Sequence, residues 1–191
     1  MKKELKRITK ETNIEMEINL EGKGISDIQT GIGFFDHMLE AFSKHSLIDL
    51  SIICRGDLHV DYHHSVEDVG IVLGLLLKEA LYPLQNVERY SNSVIVMDEA
   101  AVECDMDLSN RAYLVYELGI EGVIGSFDVE LCEEFFRAVA TNAGISLHII
   151  KRRGKNRHHI VEAAFKAFAV GLRRALIKND RVGTPSTKGV L

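Results

Sequence analysis

The sequence predicts an α+β fold of two similar halves, each a small, mostly antiparallel sheet backed by two helices. Three observations predict it. First, the pattern His-His-x-Val-Glu occurs twice, as His63-His64-Ser65-Val66-Glu67 and as His158-His159-Ile160-Val161-Glu162, 95 residues apart in a chain of 191. Second, at that offset Leu73 lies over Phe168, Leu77 over Leu172, and Ser51-Ile52-Ile53 over Ser146-Leu147-His148. Third, segments of strand and helix periodicity recur in one order in both halves. No Gly/Ser-rich linker interrupts the chain, so residues 1–191 read as a single domain of two pseudo-repeat halves, approximately 1–92 and 93–191.

In the first half, Ile14, Met16, Ile18 and Leu20 alternate with polar residues, as a half-buried strand does. Gly22-Lys23-Gly24 is a turn. Phe34 to Lys44 has helical spacing. Leu50–Cys54 and Leu58–Val60 read as short strands around a turn at Arg55-Gly56-Asp57, and a long apolar helix runs from near Val66 to Leu81, ahead of Pro83. In the second half, Val102 to Leu108 and Tyr113 to Leu118 read as strands. Val129 to Ala140 is helical, Ser146 to Ile150 is a strand, and Ile160 to Ile177 is a long amphipathic helix.

Composition narrows the class. A hydrophobic fraction of 46% suffices for a sizeable core, and a net charge of −5 gives no reason to expect a nucleic-acid partner. The basic run Lys151-Arg152-Arg153 with Lys155 and Arg157 reads as a solvated face or loop, or as a group that helps attract an anion. Neither a signal peptide nor a run of about 20 apolar residues is visible, so no membrane role is expected. Cys54, Cys104 and Cys132 are too scattered for a disulfide framework and fit reduced thiols in a cytoplasmic protein.

The repeated motif points to metal chemistry. If each copy opens a helix, either histidine shares a face with the glutamate three or four residues on, while adjacent histidines point about 100° apart. One ion is then poorly served by both members of a pair. Two ions, each taking one imidazole from each pair, use all four. Imidazole nitrogen with carboxylate oxygen suits Mn, Fe, Co, Ni or Zn. Asp68 follows the first motif where Ala163 follows the second, and is either an orienting acceptor for an imidazole or a first-turn charge. His37 lies 26 residues before the first pair, and Glu134 lies 24 before the second. A second set of residues suits phosphate: Arg89, Arg111, Lys166 and the tail Pro185-Ser186-Thr187-Lys188-Gly189.

Taken together, these blocks resemble the imidazoleglycerol-phosphate dehydratase family. The resemblance is carried by Gly31-Ile32-Gly33-Phe34-Phe35-Asp36-His37-Met38-Leu39, both His-His motifs, Met97-Asp98-Glu99-Ala100, Asp107-Leu108-Ser109-Asn110-Arg111 and the tail. It implies a monofunctional enzyme of histidine biosynthesis with two Mn ions per active site and no organic cofactor. It also implies a homo-oligomer of 24 subunits with sites between subunits. By the resemblance one metal site takes His37, His64, Glu67 and His158. The other takes His63, His159 and Glu162, with Glu134 where some members carry histidine. His148 stands at a family position and reads as structural or as an outer partner of the site. Glu11 and His45 are implied as acid–base and substrate-binding groups, with Glu67 or Glu162 in a dual role. His37 is implied to contact substrate as well, and Arg89, Arg111, Lys166, Ser186 and Lys188 to clamp its phosphate.

The family reaction removes water from D-erythro-imidazole glycerol phosphate to give imidazole acetol phosphate. The carbon that loses its proton is not next to a carbonyl, the substrate's imidazole offers another electron sink, and two metals on its nitrogens would favour the imidazolate. A di-metal hydrolase would differ by releasing phosphate. A structural assembly stapled by the His-His pairs would turn nothing over.

Overall fold

The computed structural model describes residues 1–189 and 191. The first half contains β1 (Lys2–Ile8), β2 (Thr12–Asn19), β3 (Ser26–Gln29), α1 (Gly33–Ser46), β4 (Asp49–Gly56) and α2 (His63–Leu81). The second contains β5 (Tyr90–Met97), β6 (Ala100–Asp107), β7 (Tyr113–Glu117), a small hairpin of β8 (Val123–Ile124) and β9 (Phe127–Asp128), then α3 (Glu130–Ala143), β10 (Ser146–Arg153) and α4 (Arg157–Ala175). The sheets have the orders β1-β2-β4-β3 and β5-β6-β10-β7. In each, two antiparallel pairings are followed by one parallel pairing, of β3 with β4 and of β7 with β10. The same strand order, directions and helix placement occur twice, as the sequence repeat predicts.

Each sheet turns one face toward helices. β2 alternates buried Ile14, Met16 and Ile18 with outward polar residues, and α2 packs against β1, β2 and β4. In the second half α4 packs against β5, β6 and β10. The helices then pack across the halves, α1 on α4 and α2 on α3. An aromatic seam fills this layer. Phe35 meets Phe135 edge to face at 5.4 Å, Phe42 stacks on Phe168 at 5.3 Å, and Phe136 meets Phe165 at 4.9 Å. Gly70 and Gly74 bring α2 close to α3. A Cβ at Gly74 would lie 2.7 Å from Asn142 Cβ and 2.9 Å from the Val139 carbonyl.

Five strands escaped the periodicity reading, two of them the two-residue β8 and β9, too short to show a period. β1 is mostly charged, as an edge strand that resists aggregation is, β3 is only four residues long, and β5 exposes Val94 and Val96 on its outer side. One expected strand is absent. Leu58–Val60 forms a turn, closed by the Val60 N–H donating to the Asp57 carbonyl at 2.8 Å, while the Asp57 N–H is held by the Glu11 carbonyl at 3.1 Å. That turn sets the Asp57 side chain beside the start of α2. Both long helices begin three residues before their predicted starts: Asn156 caps α4, and at α2 Asp61, one residue before the cap position, accepts from the His63 N–H.

Candidate active site

Both His-His pairs sit in the first turn of a long helix, and an equivalent residue fixes each start. Asp61 Oδ1 accepts from the His63 N–H at 2.8 Å. Asn156 Oδ1, at the matching position 95 residues on, accepts from the N–H groups of His158 at 2.9 Å and His159 at 3.4 Å. The rings then diverge in the same way. His63 and His64 have centroids 6.4 Å apart and planes at 79°, and His158 and His159 have centroids 6.3 Å apart and planes at 79°. Neighbours so disposed face different directions, as the helix geometry predicts.

His158 converges with two other ligand-type residues, one of them Glu162, which the resemblance grouped with His63 and His159 and which the structure sets beside His37 and His158 instead. α1 brings His37 against α4, where Glu162 stands one turn after His158. His158 Nε2 lies 3.1 Å from Glu162 Oε2, and His37 Nε2 lies 3.7 Å from the same oxygen. Ligand atoms of His37, His158 and Glu162 all lie within 4.8 Å of one another, the one such group of three or more among the described residues. Two imidazole nitrogens and a carboxylate oxygen are a donor set for a divalent first-row cation, so the residues present fit a metal. Lys166 Nζ takes the other carboxylate oxygen, Glu162 Oε1, at 2.6 Å. Burial opposes ionisation of Glu162, but Lys166, His158 and His37 outweigh it and hold its pKa below the ordinary value. His45, at the end of α1, has its pKa lowered by burial, then by the charges of Lys166 and Arg173.

The first motif makes a second group. His63 Nε2 lies 3.7 Å from Glu67 Oε2, one turn on. His64 donates or accepts through Nδ1 at 2.9 Å from Asp57 Oδ2, and its Nε2 faces Glu11 Oε1 at 3.8 Å. His159 is placed in parallel fashion, with Nδ1 2.8 Å from Glu99 Oε2 and Nε2 3.7 Å from Asp98 Oδ2. Glu99 is itself held by the N–H groups of Lys155 and Asn156 on Oε1, and its pKa falls to about 2 because of His159 first and those N–H groups next.

The remaining candidates are dispersed within one chain. Glu134 lies on α3 near Arg137, with Oε2 3.9 Å from Nε, and joins neither His-His pair. Arg89 is buried, its Nε and Nη2 on the Asp107 carboxylate at 2.7 and 3.1 Å and its Nη1 on the Pro185 carbonyl at 2.5 Å. It thereby ties the tail, where Ser186 Oγ accepts from the Lys188 N–H at 3.2 Å, to the second sheet. The Arg111 side chain is exposed, and its carbonyl accepts from Ser109 and Ser146. His148, on β10, meets Tyr113 edge to face at 6.5 Å on the sheet's outer side, away from either His-His pair. Asp68 orients no imidazole. Its Oδ2 pairs with Arg7 at 2.6 Å and accepts from Thr12 Oγ1 at 2.5 Å, tying α2 to β1 and β2.

Asp57 and Glu99 appear in the sequence as part of a turn and of a family block, and neither reads there as a site residue. Glu99 lies in the turn before β6, where Glu11 lies in the turn before β2, a correspondence that only the strand pairing exposes. Asp61 and the cap Asn156 were available in the sequence, two residues ahead of each pair.

The structure is an internally duplicated α+β fold in which histidines and a buried glutamate gather into a cluster that could hold a metal ion. A family model for imidazoleglycerol-phosphate dehydratase matches residues 30–172. The chain is 64% identical to the imidazoleglycerol-phosphate dehydratase of Wolinella succinogenes, over 99% of this chain and 100% of that one. It is 68% identical to that of Campylobacter concisus, over 98% and 97%. Its fold is similar to the solved dehydratase of Staphylococcus aureus, with a TM-score of 0.86 and 39% identity over 94% of this chain and 100% of that one. It is also similar to that of Pyrococcus furiosus in complex with (S)-C348, with a TM-score of 0.85 and 39% identity over 98% and 100%. The chain belongs to the imidazoleglycerol-phosphate dehydratase family, hydro-lyases of histidine biosynthesis.

Proposed function

We propose that this chain dehydrates D-erythro-imidazole glycerol phosphate to imidazole acetol phosphate, with the phosphate retained. The observation that carries the reading is the convergence of His37, His158 and Glu162 on one point, beside an imidazole pair whose other member faces elsewhere. His37, His63, His64, Glu67, His158, His159 and Glu162 would hold two Mn ions per active site, with Glu134 as a further carboxylate donor. When bound, the pair of cations would supply Lewis acidity to the two nitrogens of the substrate's imidazole and favour its deprotonated form. No organic cofactor is required.

The chain's own groups supply the rest. Glu11, whose Oε1 faces His64 Nε2 at 3.8 Å, would take a proton from the glycerol carbon next to the ring-bearing carbon. His45, its pKa lowered by burial and by neighbouring cations, is available as a neutral imidazole to pass a proton to or from a substrate hydroxyl. Lys166, Arg111, Ser186 and Lys188 would bind the phosphate, and Arg89 would hold the tail in place for that task through Pro185. Because the two motifs do not join one group within a chain, each site would be completed by residues of neighbouring subunits, in a cytoplasmic 24-subunit homo-oligomer whose chains each act as one unit over residues 1–191. No helix of the described residues is long and apolar enough to cross a membrane.

The test is direct. Purified protein loaded with Mn is given the substrate, and the keto product and free phosphate are both followed. Keto product without phosphate release is expected. Phosphate release would establish a hydrolase instead, and absence of turnover where another family member works would refute the reading.

A further inference from the structure

Each second histidine of a pair is gripped at Nδ1 by a carboxylate, but the two carboxylates come from unrelated places. Asp57 follows β4, and the residue 95 positions later is Arg152. Glu99 precedes β6, and the matching residue before β2 is Glu11, which faces Nε2 of His64 and not Nδ1. Inheritance of one ancestral contact through the duplication therefore does not explain the pattern. The two halves reach the same geometry by different routes, at 2.9 Å and 2.8 Å.

We infer that Asp57 and Glu99 are positioning residues that fix the protons of His64 and His159 on Nδ1 and so present the bare Nε2 of each ring to a metal. A carboxylate is acceptor only, so a neutral imidazole bound to it at Nδ1 carries its proton there. The lone pair is left on Nε2. In both rings Nε2 lies 3.7 Å or more from its own facing carboxylate, beyond hydrogen-bond reach and open to a further partner. Glu99 is the more rigid support, because two backbone N–H groups at the start of α4 anchor its other oxygen. The inference rests on the reading above that His64 and His159 are metal ligands.

Glu99→Gln gives a decisive test. Its side-chain oxygen is expected to stay on the N–H groups of Lys155 and Asn156, which turns its NH2 group toward His159. An NH2 group can only donate, so the His159 proton must move to Nε2, the wrong nitrogen for binding. Solid-state 15N NMR of metal-free, histidine-labelled protein, above the histidine titration range, reads the two tautomers, with assignment by difference against His64→Asn and His159→Asn. The wild-type protein is expected to show Nδ1–H at both rings. Glu99→Gln is expected to show Nε2–H at His159 alone, with affinity for Mn reduced roughly 10–100-fold in calorimetric titration. Nε2–H at either ring in the wild type overturns the inference, as does an inverted His159 that still binds Mn at wild-type affinity. Should the variant not fold, the wild-type tautomers alone decide. His159→Ala, titrated in parallel, tests the ligand assignment separately: unchanged Mn uptake there refutes the assignment and not the tautomer.

Discussion

His158 Nε2 lies 3.1 Å from Glu162 Oε2, one helical turn apart on α4, while Lys166, one turn further, holds the other oxygen of the same carboxylate at 2.6 Å. Glu162 is only 6% exposed, so its charge is maintained by these cationic and donor neighbours and not by water. Glu162→Gln keeps the shape and removes the charge. Its metal affinity, read by calorimetric titration, should fall by more than the roughly 10–100-fold that loss of an outer partner costs, and turnover should fall to background. Retention of full metal content would show that Glu162 is not a ligand.

The pairing of His159 with Glu99 has a pH signature in the metal-free protein. Glu99, first through its hydrogen bond, raises the His159 pKa above 6.5. That contribution to stability is complete below the ordinary histidine value and is lost as pH rises through the raised one. Glu99, held down to about 2, contributes above its ordinary value of 4.5 and loses that contribution as pH falls toward 2. The pair therefore supports the metal-free fold most fully between about 4.5 and 6.5. An NMR titration should place the His159 midpoint above 6.5 in the wild type and lower it in Glu99→Gln. An unmoved midpoint would mean that the contact does not persist in solution.

Asn156→Ala removes the cap that accepts from His158 and His159. Denaturant unfolding of the metal-free protein should show a loss of about 0.5–2 kcal/mol. Mn affinity should fall as well, since the first turn of α4 carries both histidines. Asn156→Asp should restore stability, because a carboxylate caps equally well and suits the positive end of the helix dipole.

Gly74→Ala tests the packing of α2 on α3. A new methyl would meet Asn142 Cβ at 2.7 Å and the Val139 carbonyl at 2.9 Å, so one helix must shift. Overpacking of this kind costs about 1–3 kcal/mol, offset in part by the roughly 1 kcal/mol that alanine gains over glycine in a helix. A lowered midpoint in urea with an unchanged slope is expected. A stabilised variant would show that the two helices are less closely packed.

Much of the fold was legible because burial imposes a period. Ile14, Met16 and Ile18 face the core on alternate positions, and the long helices carry apolar stripes that repeat 95 residues apart. What escaped was what the period does not govern. β1 shows no apolar alternation because an edge strand needs few apolar residues, and Leu58–Val60 reads as a strand because three residues carry no information about the turn that Asp57 closes. In the site, the histidines and their glutamates were legible from i, i+3 and i+4 spacing, whereas Asp57 and Glu99 were not. Glu99 is 60 residues from His159 in the chain. Asp57 is only seven from His64, but reaches it by a turn that periodicity misreads as strand.

The sequence by itself determined the duplication, the class of fold, the family and the divergence of adjacent histidines, because each follows from spacing along a helix or from direct similarity. The tertiary structure alone decided which side chains share a point in space. It placed His37 with His158 and Glu162 by packing α1 on α4, committed Asp68 to Arg7 and Thr12, and buried Arg89 against Asp107 and the tail. Contacts of that kind depend on where helices cross and hairpins turn, and those positions are set by the summed packing of the whole core, not by the residues that meet there.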